Sequence, residues 1–95
     1  MLFVLFLVAL VLVALVVLQS VRQGRRFIRA ATFLNELDGG RPAHEANAVA
    51  AVLFTGESSP GADAHAAQIA RARSAEHGQS QAQVIGAAQA RGFEG

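Results

Sequence analysis

MLFVLFLVALVLVALVVL, Met1 to Leu18, contains no polar or charged side chain. A helix rises about 1.5 Å per residue, so this stretch covers about 27 Å, close to the roughly 30 Å hydrocarbon core of a bilayer. The reading is a transmembrane helix. Leu, Val and Phe each favour insertion by about 0.3 to 0.6 kcal/mol at the membrane centre, and no charge opposes them. A secretory signal would carry basic residues ahead of a shorter apolar run and small residues before a cleavage point. Here nothing basic precedes Leu2 and the exit reads Leu18-Gln19-Ser20, so a retained span is expected.

Arg22, Arg25, Arg26 and Arg29 follow the span at once, whereas the acidic residues are scattered from Glu36 onward. The formal net charge of +1 hides this asymmetry. By the positive-inside rule the arginines stay in the cytoplasm and the short N-terminus crosses the membrane. The span itself lacks glycine, and Ala9 and Ala14 are five apart, so no small-xxx-small dimer seam is present. Nor does it hold an ionisable group of the kind that marks a proton path or ion site. These features describe an anchor.

From Gln19 to Leu37 the pattern changes. Phe27, Ile28, Ala31 and Leu34 fall at helical spacing, with the arginines largely opposite, which predicts a basic amphipathic helix. Gly24 lies inside it, and glycine costs about 1 kcal/mol in a helix interior, so a bend is expected there that lays the segment along the membrane surface. Four arginines near an anionic leaflet are worth about 4 kcal/mol, at about 1 each. The cluster reads either as a topological stop signal or as a binding site for anionic lipid or an acidic partner. Asp38-Gly39-Gly40 ends the segment.

The rest alternates alanine-rich helical patterns with turns. Pro42 to Phe54 reads as one short helix, and Thr55 to Gly61 as a loop. Ser59 can cap a second helix, with Pro60 at its first position, that runs to Gly78; Ser80 can cap a third that ends at Gly92. Large apolar residues beyond Asp38 are few, and the helix around Ile69 has only that one. A tail so poor in core material is expected to be ordered on a partner and weakly ordered alone. The side chains expected to pack on partners are Phe27, Ile28, Leu34, Val49, Leu53, Phe54, Ile69, Val84, Ile85 and Phe93.

Chemistry is sparse. The absence of cysteine excludes disulfides, thiolate metal sites and thiol nucleophiles. His44, His65 and His77 are too far apart for paired ligands and belong to no H-E-x-x-H arrangement. Asp63 and His65 are two apart on a helix and face different ways. Ser58 and Ser59 lack the G-x-S-x-G setting of a nucleophile elbow. Ile69 to Phe93 has the helix, turn, helix outline of a DNA-binding motif, but His77 and Gln79 flank the turn where apolar locking residues are needed. No enzyme activity, cofactor, metal or nucleic-acid partner is expected.

The expected fold class is an all-α membrane protein: a transmembrane helix over 1–21, a basic juxtamembrane helix over 22–38, and a cytoplasmic tail of two to three short helices over 39–95. All eight basic residues are arginine in an alanine-crowded chain, as in products of GC-rich genomes, which points to a bacterium or a virus of bacteria, and the expected location is a bacterial inner membrane. In outline the span, basic exit and helical tail resemble the membrane end of the b-type stalk subunit of rotary ATP synthases. The tail departs from that family in being short and broken by Gly and Pro. The function expected is that of a non-catalytic accessory subunit of a larger membrane complex. Alternatives are a structural membrane protein of a bacterial virus and a regulator that binds anionic lipid.

Overall fold

The computed structural model describes Met1 to Gly95 as four α-helices: α1 Leu2–Asp38, α2 Ala43–Ala51, α3 Pro60–His77 and α4 Gln81–Ala90. At about 1.5 Å per residue, the 37 residues of α1 span about 56 Å, which accounts for nearly all of the molecule's longest dimension of 59 Å. The helix is therefore close to straight. Its first three-fifths stand clear of the rest of the protein: every residue from Met1 to Gln23 is exposed. It is the one helix long and apolar enough to cross a membrane, and none of its apolar window is buried.

The expected bend at Gly24 is absent. Helical structure runs through it without interruption, and no atom lies within 4 Å of the position a Cβ would occupy. A single glycine costs about 1 kcal/mol relative to alanine, less than breaking the hydrogen-bond ladder between two well-formed segments would cost. The segment beyond Gly24 consequently does not turn off to lie on the bilayer. Its apolar face is covered by protein instead.

That face is wide. Phe27, Ala30, Ala31, Phe33 and Leu34 are all buried, and at 100° per residue they occupy an arc of about 160°. Such an arc suits a helix enclosed by several neighbours, and α2, α3 and α4 each pack chiefly on α1. The core that results joins these five residues to Ala46 and Ala50 of α2, Ala70 of α3, Val84, Ile85 and Ala88 of α4, and Phe93 beyond it. Alanine provides much of it because a methyl group lets helix axes approach closely; Ala30, Ala31, Ala46, Ala70 and Ala88 are wholly inaccessible to solvent. We call this unit, from about residue 24 to 95, the head.

The tail thus finds within the chain the apolar surface it was expected to seek on a partner. Phe27, Leu34, Leu53, Val84, Ile85 and Phe93 are buried inside the head, and Ile28, Val49, Phe54 and Ile69 are half-buried. The physical reason is that α1 contributes Phe27, Phe33 and Leu34 to helices that have little of their own to offer.

Capping side chains start α3 and α4. The Ser59 hydroxyl accepts from the Ala62 N–H at 3.1 Å at the start of α3, with Pro60 in the first turn. At α4 a full capping box forms: Ser80 Oγ accepts from Gln83 N–H and Gln83 Oε1 accepts from Ser80 N–H. α1 ends in a Schellman turn, Arg41 N–H to Glu36 O and Gly40 N–H to Leu37 O, with Gly40 at φ 94°. The same closure at Gly92, φ 107°, drops Phe93 into the core beside Phe33, ring centroids 5.5 Å apart. Of the three short helices, α2 departs most from its expected bounds. It stops at Ala51, not Phe54, because the chain turns and Phe54 takes a left-handed conformation at φ 64°.

Candidate membrane-interface site

The four arginines that follow the apolar stretch separate into two pairs. At 100° per residue they share one side of α1, but the head reaches only part of that side. Arg29 lies deepest. Its Nε and one terminal nitrogen both donate to the Leu53 carbonyl, at 3.2 and 2.7 Å, satisfying an orphan acceptor just past the end of α2. The Arg29 and Arg25 guanidinium groups also stand over the Phe54 ring, 5.8 and 5.4 Å from its centroid. Phe54 is held from the other side: its N–H donates to Asp63 Oδ1 at 3.3 Å, and Ser58 Oγ donates to the same oxygen at 2.6 Å. The left-handed residue is fixed by contacts from α1 and α3 at once.

Arg22 and Arg26 make the other pair. Arg22 ion-pairs with no carboxylate, and Arg26 donates its Nε to the Gly95 carbonyl at 3.1 Å. Both line a cleft of about 370 Å³ between α1 and α4.

At the far end of α1, Asp38 bridges the remaining elements. Arg73 of α3 donates to Oδ2 at 2.8 Å and Arg91 beyond α4 donates to Oδ1 at 3.2 Å. The Arg73 hydrogen bond, followed by that of Arg91, holds the Asp38 carboxyl below its ordinary value of 3.8. A carboxylate at a helix C-terminus opposes the macrodipole, and the two guanidinium groups offset that cost.

The other polar candidates do not converge. His44, His65 and His77 are all exposed, and no group of three or more His, Asp or Glu side chains is placed to hold a metal ion. Ser58, Ser59 and Asp63 are occupied in loop and cap hydrogen bonds. α3 and α4 both pack on α1 more than on each other, unlike the mutually locked helices of a helix-turn-helix.

Two features escape a stripe-based reading of the sequence. Phe33 lies off the Phe27, Ala31, Leu34 line, yet in the run Ala30-Ala31-Thr32-Phe33-Leu34 only Thr32 is polar, which widens the apolar arc beyond a narrow stripe and is the trace of a helix covered by more than one neighbour. Asp38 lies 35 and 53 residues from its partners, and no local pattern marks it. No family model, curated protein or solved structure matches this chain.

Proposed function

We propose that this chain is a non-catalytic, single-span accessory subunit of a larger membrane complex, which holds a small helical head against the cytoplasmic face of a bacterial inner membrane. The observation that carries the reading is the continuity of α1: one unbroken helix contains both the exposed apolar stretch and the spine of the head. From Leu18 to Phe27, the first buried residue, is nine residues, or about 14 Å. The head therefore has no tether. It is held at a set height and rotation relative to the bilayer, as a structural part must be and a mobile catalytic or capture domain need not be. The arginines at the exit support the orientation with the head in the cytoplasm.

The experiment has two arms. The chain contains no cysteine, so a single thiol introduced by Glu57→Cys on the exposed loop reports topology cleanly. A membrane-impermeant maleimide should label it only after lysis, and labelling of intact cells would reverse the orientation. The full chain, tagged at its C-terminus and extracted in mild detergent, should bring down partners at constant stoichiometry. Recovery as a homogeneous monomer would overturn the subunit reading.

A further inference from the structure

The cleft between the start of the basic segment of α1 and α4 is lined by two guanidinium groups and no carboxylate. Arg22 and Arg26 stand one helical turn apart on the same face, Gln23 lies beside them, and Ile85, Gly86 and Gln89 form the opposite wall. Arg22 is unpaired, and Arg26 spends only its Nε on Gly95, leaving its terminal N–H groups. Arg25 and Arg29, in contrast, are engaged with Phe54 and the Leu53 carbonyl. The wall facing the arginines includes Gly86, an unfavourable residue inside a helix. No atom lies within 4 Å of where its Cβ would be, so packing within the chain does not require glycine there.

Depth selects the ligand. Arg22 is four residues past Leu18 and Arg26 eight, about 6 and 12 Å beyond the apolar run. The headgroup layer of one leaflet is about 5 to 7 Å thick, and arginine side chains extend along the helix to reach it. On the stripe below Arg22, one turn after another, come Leu18, Leu15 and Val11, all exposed. A molecule with phosphate in the cleft and hydrocarbon against that stripe would meet both surfaces.

We propose that this cleft binds the phosphate of an anionic glycerophospholipid, with Arg22 and Arg26 on the phosphate oxygens, Gln23 and Gln89 on the hydroxyls of the headgroup, and Gly86 admitting it. This rests on the membrane-anchor reading of α1.

The test uses the full chain in mixed detergent micelles with phosphatidylglycerol or phosphatidylcholine, and native mass spectrometry to count retained lipids. One phosphatidylglycerol per chain should be kept in preference to phosphatidylcholine. Arg22→Gln and Arg26→Gln should each weaken retention about fivefold, and Arg25→Gln should change it less than twofold. Gly86→Leu alters no charge but intrudes on the cleft opposite the arginines, and should weaken retention at least fivefold with an unchanged circular dichroism spectrum. Equal loss from Arg25→Gln and Arg22→Gln would mean diffuse attraction and overturn the site. So would native-like retention in Gly86→Leu. Should that variant unfold, the arginine comparison decides. Binding of soluble glycerol 3-phosphate as tightly as phosphatidylglycerol would overturn the lipid assignment. Insertion into phosphatidylcholine bilayers reports the anchor separately: variants that lose retention but insert normally leave the anchor reading standing, and failure of the native chain to insert removes both.

Discussion

At Asp38 one carboxylate receives a guanidinium from each of two distant segments, and the side chain is still 47 % exposed. Solvent screening limits what such pairs contribute to about 1 kcal/mol in all. Asp38→Asn should therefore lower the unfolding midpoint of the head by only a few degrees at neutral pH. The pH dependence is more diagnostic than the size. A carboxyl with a depressed folded-state pKa stabilises the fold above its ordinary value of 3.8, and that stabilisation is lost as pH falls through the lower, folded-state value. The gap in thermal midpoint between the native chain and Asp38→Asn should be complete near pH 6 and close as the pH is taken below 3.8. A gap that persisted in strong acid would show that the asparagine acts through something other than the charge. Phe54 shows a different economy at the same scale: a non-glycine residue at φ 64° is held by two arginines above its ring and by Asp63 at its N–H.

At the scale of the element, α1 is two helices in one. Up to Leu18 it presents an uninterrupted, exposed apolar surface of membrane-spanning length; from Phe27 its neighbours are α2, α3 and α4. Phe33 is the largest side chain with no exposure at all, and it contacts the Phe93 ring that the Gly92 turn delivers. Phe33→Ala should cost about 3 to 5 kcal/mol, comparable with the whole stability of so small a head. Circular dichroism in detergent should then lose the helical signal of α2, α3 and α4 while that of the apolar first half of α1 remains. Retention of a cooperative melt would show that alanine contacts hold the head without the aromatic pair. The division of the arginines belongs to this scale too, since α4 and the α2–α3 turn approach α1 on different sides and take different members of the cluster.

At the scale of the whole molecule, the head has no core without α1. A peptide from Gly39 to Gly95 keeps every cap and turn of the short helices but loses Phe27, Ala30, Ala31, Phe33 and Leu34. It should be weakly helical and melt without cooperativity. A peptide that begins at Gln19 restores the spine and should fold as a monomer with a cooperative transition. Cooperative melting of the shorter peptide would show that α2, α3 and α4 suffice. Much of this architecture could be read from the residues: the apolar run at Met1–Leu18, the caps at Ser59 and Ser80, and the glycine stops at Gly40, Gly78 and Gly92 are local signals, fixed by length, hydropathy and backbone conformation within a few neighbours. The pairing of elements was not local. Alanine-rich faces carry almost no pattern to say which helix meets which, so the choice between an internal partner and an external one depends on whether α1 continues straight past Gly24 into the head. Sequence alone determined a membrane-length apolar helix with a basic exit and short helices behind it. Tertiary structure decided that those helices close on the exit itself, because that is where the chain holds enough large apolar surface to bury them.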